Sequence, residues 1–388
     1  MRVLFTGLPI QSHLVPVVVP LAKSLQYAGH EVAIATGSAI AAEVERHGIP
    51  VLVLPDALAP EQVRPEQLAN TGFSLEKLKQ WRPEVTGPLS LPLFSSALTD
   101  AFAANVIEAA KSWRPDVIVR ETNEYGGYLA AEVLCLPLAV VDIAPLISSL
   151  IPDLTDQLNV LRQGLGLPAV DSATHASGRL TAGLLPEQWY PAALRTPGHR
   201  HYRVNDSFDD HQPAPATTPF VLAGFGSNLR TLLAADSELL NITVEALGSL
   251  SVRAVVALGS DDAVAAWTGP RPANVELAPF VPQRRLLGES DLFLTHAGFS
   301  GVREALTAGV PMVALPLFAD QPANASRVDE LGLGVKVDTA GLTPDTLAGL
   351  VKRVLDEPSY HLAARSFQRD ILDLPSLSAF IADLESLT

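Results

Sequence analysis

The chain has one cysteine in 388 residues, Cys135, so it can close no internal disulfide and cannot build a metal site from several thiolates. That usage suits a reducing cytoplasm, and Cys135, inside the apolar run LCLPLAVV, is read as a small buried hydrophobe. Basic residues are in deficit as well: Lys and Arg number 27 against 42 Asp and Glu, a formal net charge of −15. Such a surface repels a nucleic-acid backbone or an anionic membrane, which removes both as expected partners. Long apolar runs are missing. The richest early one, LVPVVVPLA, is too short to span a bilayer and carries two prolines. No basic segment followed by an apolar stretch and a cleavage site opens the chain, so no signal peptide is read. The first loop lacks G-x-G-x-x-G, which counts against a dinucleotide-dependent hydride-transfer enzyme. No Asp-x-Asp triplet occurs and no His, Cys and Asp cluster has ligand spacing, so neither a metal nor a bound cofactor is expected.

What is present describes a folded protein: 48% hydrophobic and 18% charged residues, with length enough for two domains. Residues 1–8 (MRVLFTGL) have a buried-strand pattern. A helix is expected from His13 to Tyr27, with Ser12 as N-cap, Pro16 in the first turn and Gly29 as the stop. GHEVAIAT and IPVLVL supply two more strands, so the chain opens with a right-handed βαβ unit of a parallel sheet. Residues 57–92 are polar and proline-spotted and read as loops and short helices. Further along, a helix is expected over 100–111, a strand at DVIVR running into Glu121, a strand at LAVVDI and a helix over 154–164. His199 and His201, in GHRHYR, read as solvated or structural rather than as ligands. The segment 206–219 (DSFDDHQPAPATTP) shifts to charge and then to Pro, Ala and Thr, a linker composition. FVLAGFGS then restarts the pattern of strand and glycine turn. Two Rossmann-like, doubly wound parallel α/β domains are expected, at 1–205 and 220–375, followed by a terminal helix over 376–388.

The most informative stretch spans residues 291–334, DLFLTHAGFSGVREALTAGVPMVALPLFADQPANASRVDELGLG. An apolar run ending at His296 is followed by Ala-Gly-Phe-Ser-Gly and a helix-forming segment, hence strand, tight turn and helix N-terminus. Unpaired first-turn N–H groups and the helix dipole favour a phosphate just ahead of Ser300 to Val302. Gly298 and Gly301 let the backbone approach a ligand where a Cβ would collide. A second strand, PMVALPLF, then delivers Asp320 and Gln321 to the same sheet edge, a carboxylate beside an amide that can accept from and donate to sugar hydroxyls. In the first half, His13 stands where the first strand hands over to its helix and Glu121 where a later strand ends. In an open parallel sheet the two can meet, and a carboxylate on one ring nitrogen leaves the other free to take a proton. Glu124 competes with Glu121 for that place.

The run from Thr295 to Gly334 resembles the nucleotide-sugar motif of GT-B glycosyltransferases, in the family holding bacterial natural-product glycosyltransferases and the plant and animal UDP-glycosyltransferases. The resemblance implies two domains facing a cleft, an acceptor-binding first domain, a donor-binding second domain and a terminal helix that packs back on the first. By the same resemblance His296, Gly298, Ser300 and Gly301 meet the diphosphate, Ser227 in the glycine turn Gly224–Ser227 does likewise, and Asp320 and Gln321 bind the sugar. Phe280 and Val281 meet the base and Glu304 the ribose. The turn departs from the usual pattern, since Phe299-Ser300-Gly301 changes which donor reaches phosphate. His13 is implied as general base with an acidic partner. The expected activity is an inverting, metal-independent transfer of sugar from a dTDP or UDP donor to a small hydrophobic acceptor. A nucleotide-sugar epimerase and a non-catalytic donor-binding helper are the alternatives. Expected partners are thus the nucleotide sugar and a small-molecule acceptor, with a homodimer left open.

Overall fold

The computed structural model describes residues 1–59, 62, 97–145, 154–204, 218–226 and 238–388. Thirteen strands are assigned among them: β1 (Arg2–Thr6), β2 (Glu31–Thr36), β3 (Val51–Val53), β4 (Val117–Glu121), β5 (Leu138–Val141), β6 (Leu180–Gly183), β7 (His199–His201), β8 (Phe220–Gly224), β9 (Arg253–Ala257), β10 (Val275–Ala278), β11 (Leu292–Thr295), β12 (Met312–Ala314) and β13 (Gly334–Lys336). They form two sheets, ordered β3-β2-β1-β4-β5-β6-β7 and β10-β9-β8-β11-β12-β13, and among the described residues every strand pair is parallel. Parallel strands are covered on both faces and need continuous apolar runs. Val3, Leu4 and Phe5 in β1, and Leu292, Phe293 and Leu294 in β11, are accordingly buried. The fold class is therefore that expected: two doubly wound α/β sheets.

The chain divides into two compact units. The first holds β1 to β7 and the segment Leu374–Thr388; the second holds β8 to β13 and runs to Asp373. The helix Leu377–Glu385 is built into the first unit. Asp383 accepts from the Tyr202 hydroxyl at 2.6 Å and pairs with Arg200, and Phe380 meets Tyr202 edge-on at 5.4 Å. His30 lies 3.3 Å from Glu385, and the Arg203 N–H donates to the Pro375 carbonyl at 2.7 Å.

Several local expectations need correction. The first helix starts at Gln11 behind Ile10, with no side-chain cap, so Ser12 is not its N-cap. Pro16 has no N–H to close an ordinary turn, and the chain widens over Leu14–Val18 into a π-helical segment in which Val19 donates to the Leu14 carbonyl. Regular α-helix follows over Val19–Tyr27. Cys135 is exposed, not buried: the helix Gly126–Leu134 ends there, and Cys135 takes the left-handed conformation (φ 54°) that terminates it. His199 and His201 are structural. The His199 side chain is 3% exposed and 3.2 Å from Asp142, and both imidazoles pack on Tyr190, in space that a Cβ on Gly183 would fill. Burial, and then the neighbouring His199, hold the His201 pKa below its ordinary value. Most of the expected loops over 57–92 and of the linker 206–219 lie outside the described residues.

Candidate active site

In each sheet the strand order reverses once, and a crevice opens beyond the carboxyl ends of the two strands flanking that point. In the first unit those strands are β1 and β4, paired from Val3↔Val117 to Thr6↔Arg120. The helical turn after β1 carries His13, and β4 ends on Glu121. The two meet: His13 Nδ1 is 3.4 Å from Glu121 Oε1. Glu121 is fully buried, and its Oε2 accepts from the Asn123 N–H at 2.6 Å, which fixes the carboxylate. Glu124 takes no part in that pair. It accepts from the Gly127 N–H at 2.8 Å and from the Thr6 hydroxyl, at the start of the Gly126–Leu134 helix. Burial pushes its pKa up to about 7, against the pull of those hydrogen bonds and of Arg120. Arg120, which the motif reading did not single out, ties the loop down by donating to the carbonyls of Glu121, Thr122, Glu124 and Ala176. A charged residue in a strand otherwise apolar was the available signal.

In the second unit the reversal lies between β8 and β11, paired from Leu292↔Val221 to Thr295↔Gly224. The glycine turn after β8 and the turn after β11 are thereby neighbours, and His296 fills the space between them. A Cβ on Gly226 would stand 2.8 Å from the His296 ring, and one on Gly298 would stand 2.5 Å from Nε2. Gly226 also has φ 81°. These glycines make a slot for an imidazole. Gly301 differs, because a Cβ there would meet nothing nearer than 3.5 Å, so no protein atom demands its glycine. His296 is half-buried as a residue, and its Nδ1 is buried with no hydrogen-bond partner among the described residues. Burial lowers the His296 pKa to about 4, with a backbone hydrogen bond at Gly224 acting the other way. The ring is neutral at pH 7 and keeps one N–H to donate. Gly298 precedes the helix Phe299–Ala308 and gives its first turn no side-chain cap, the arrangement that anions favour.

Ala297 and Ala319, the residues before Gly298 and Asp320, both have left-handed backbones, φ 63° and 57°. Such strain costs about 1 kcal/mol per residue and gathers where a loop must be held in one shape. β11 and β12 are adjacent parallel strands, so their loops sit side by side as expected. Asp320 and Gln321 open the helix Gln321–Glu330 and are buried. The Gln321 carbonyl oxygen accepts from the N–H groups of Leu317 and Phe318, at 2.9 and 3.1 Å, which leaves its amide N–H as the group to meet a hydroxyl.

Phe280 is 62% exposed just beyond β10, with Val281 half-buried beside it. Glu304 lies on no solvated helix face. It is buried, and its two oxygens accept from Gln283 Nε2 at 2.7 Å and Arg284 Nε at 3.1 Å. Spare lone pairs on a carboxylate so held can still accept from ribose hydroxyls. Ser300 stands in the first helical turn; Ser227 lies outside the described residues. Asn324, unremarked in the sequence, is buried beneath both loops; its spacing of four from Asp320 on one helix was the signal. Among the described residues, no group of three or more His, Cys, Asp or Glu side chains is placed to hold a metal. No helix among them is long and apolar enough to cross a membrane.

Two parallel doubly wound units, each with candidate site residues at its own point of reversal, define an architecture of the GT-B type. Residues 261–377 match the family model described as "UDP-glucoronosyl and UDP-glucosyl transferase". The aclacinomycin-T 2-deoxy-L-fucose transferase of Streptomyces galilaeus is 27% identical over 429 aligned positions, covering 100% of this chain and 96% of that protein. Among solved structures, the calicheamicin glycosyltransferase CalG4 aligns with a TM-score of 0.77 at 24% identity, covering 100% of this chain and 98% of its own. The glycosyltransferase VinC in complex with dTDP aligns with a TM-score of 0.73 at 24% identity, covering 100% and 99%. The family match covers residues 261–377, and the similarity to antibiotic glycosyltransferases runs the full length of the chain, which has the GT-B fold and is a glycosyltransferase.

Proposed function

We propose that the protein is an inverting, metal-independent glycosyltransferase that moves a sugar from a dTDP or UDP donor to a hydroxyl of a small hydrophobic natural product. His13 takes the hydroxyl proton on the ring nitrogen that does not face Glu121, and Glu121 stabilises the imidazolium that results. The acceptor oxygen bonds to the anomeric carbon as the bond from that carbon to the diphosphate oxygen breaks. The nucleoside diphosphate leaves on the opposite face, which inverts the centre. The N-terminus of the Phe299–Ala308 helix and the His296 N–H take up the charge growing on the leaving group, in place of a divalent ion. Asp320 and Gln321 hold the sugar hydroxyls, Glu304 the ribose, and Phe280 with Val281 the base.

The observation that carries this is the His13–Glu121 pair at 3.4 Å, with the carboxylate buried and fixed from behind. A base so oriented serves proton abstraction, which a donor-binding helper does not need. The likeness to the aclacinomycin-T transferase and to the dTDP-bound neighbour supports an antibiotic-type acceptor and a dTDP donor. The test is incubation with dTDP- and UDP-hexoses and a panel of anthracyclinones, macrolides and flavonoids, the anomeric configuration of any product being read by NMR. His13→Ala is expected to lose transfer by a factor of about 10³ while dTDP affinity stays within about twofold, since general-base catalysis contributes on that scale. Undiminished transfer by His13→Ala, or a product with retained configuration, would overturn the assignment.

A further inference from the structure

Asn324 is fully buried on the helix Gln321–Glu330. Its Nδ2 donates twice, to the Ala297 carbonyl at 3.0 Å and to Asp320 Oδ2 at 2.6 Å. Both partners are acceptors, so the nitrogen rather than the oxygen of the amide must face them, and both of its hydrogens are used. The remaining atom, Oδ1, is buried with no partner among the described residues. A desolvated acceptor left that way is destabilising. The position thus carries a stability penalty while it spans two loops.

The first of those bonds has a geometric consequence. In a trans peptide the C=O and the following N–H point in opposite directions. Pinning the Ala297 carbonyl on Asn324 therefore turns the Gly298 N–H away from Asn324, and among the described residues that N–H donates to nothing. Ala297 needs such a pin, because its left-handed backbone (φ 63°) is one that alanine leaves readily. The second bond holds the Asp320 carboxylate in one rotamer. A single amide thus sets the direction of a donor in the phosphate turn and the position of an acceptor in the sugar loop.

We propose that Asn324 is a positioning residue that couples diphosphate binding to sugar recognition by orienting the Ala297–Gly298 peptide and the Asp320 carboxylate together. The inference rests on the reading above that the His296 turn binds the diphosphate and Asp320 the sugar. Asn324→Asp replaces two donated hydrogens with a carboxylate set against another carboxylate and against a carbonyl. It affects both loops, whereas Asp320→Asn affects the sugar loop alone.

The test measures dTDP affinity by calorimetry and the kcat and KM for the dTDP-sugar donor in the wild type, Asn324→Asp and Asp320→Asn. Asn324→Asp is expected to weaken dTDP about tenfold, as for one misdirected hydrogen bond to a charged group, and to lower kcat about a hundredfold. Asp320→Asn is expected to lower kcat while leaving dTDP affinity within about twofold, because dTDP lacks the transferred hexose that Asp320 holds. Equal dTDP affinity in Asn324→Asp and the wild type would overturn the coupling, as would dTDP weakening of the same size in Asp320→Asn. If Asn324→Asp does not fold, Asn324→Ser, which keeps one donor for two acceptors, is held to the same comparison. A wild type that binds neither dTDP nor UDP would refute the reading of the site, and the inference with it. A wild type that binds while Asn324 variants match it would refute the inference alone.

Discussion

Replacing Glu124 by Gln exchanges a carboxylate that burial holds up at a pKa of about 7 for a neutral amide of the same shape. In the unfolded chain the same group titrates near 4.5, so between those two values the folded state binds more protons than the unfolded one. Stability linked to this group is present in full below the lower value and is lost as the pH rises through the upper one. The interval from 4.5 to about 7 corresponds to roughly 3 kcal/mol. For a unit of this size that is roughly 6–12 °C in melting temperature. Gln carries no such burden, since its carbonyl can accept from the Gly127 N–H and its amide can donate to the Thr6 hydroxyl oxygen. Thermal melts of the wild type and Glu124→Gln are therefore expected to coincide near the acid end of the window. They should separate as the pH rises to about 8, with the variant the more stable. His296 slopes the other way in both proteins and cancels in the difference. A gap between the two melting temperatures that does not change with pH would refute the argument, because a simple packing effect has no reason to titrate.

For His296, a folded pKa of about 4 against the ordinary 6.5 means that stability is lost as the pH falls through that window, and His296→Gln is expected to flatten the acid limb in chemical denaturation. The same variant should weaken dTDP by about tenfold in calorimetry, the scale of one hydrogen bond to a charged group. Gly298 and Gly301 are glycines for different reasons and should respond differently to alanine. Gly298→Ala forces a Cβ to within 2.5 Å of the His296 ring and is expected to destabilise by about 1–3 kcal/mol in urea titration. Gly301→Ala meets only ordinary contacts and is expected to stabilise the unliganded protein by about 0.5–1 kcal/mol while weakening dTDP; equal effects of the two substitutions would show the distinction to be wrong.

Much of the fold was legible because central parallel strands must be apolar throughout. MRVLF, DVIVR and DLFLT announce themselves, and the glycines after them mark where a sheet edge meets a helix. Strands β6 and β7 were not legible. LTAG and HRH are too short and too polar to show a period, and they are strands because β5 offers them an edge. The helix Pro358–Leu372 went unread, a stretch in which apolar residues alternate with many charged ones and whose buried face is settled by packing on the Phe299–Ala308 helix. Cys135 misled because its neighbours are apolar, although a residue that ends a helix in the left-handed conformation stands outside the packed face. At the site, spacing put His13 within reach of either Glu121 or Glu124, and only coordinates show that Glu124 is spent on Thr6 and Gly127. Asn324 stayed hidden for a similar reason. What it does depends on the direction of one carbonyl, and direction is not written in residue types.

The segment Leu374–Thr388 belongs to the first unit although the whole of the second is threaded before it. During synthesis the earlier lobe therefore waits: Tyr202, Arg200 and His30 emerge from the ribosome long before Phe380, Asp383 and Glu385 exist to cover them. The later-encoded lobe has all its strands in one continuous piece and can close first. All seven strands of the first unit are nonetheless made before any of the second, so what comes last is the cover over Tyr202, Arg200 and His30, and the half that carries His13 is begun first and completed last.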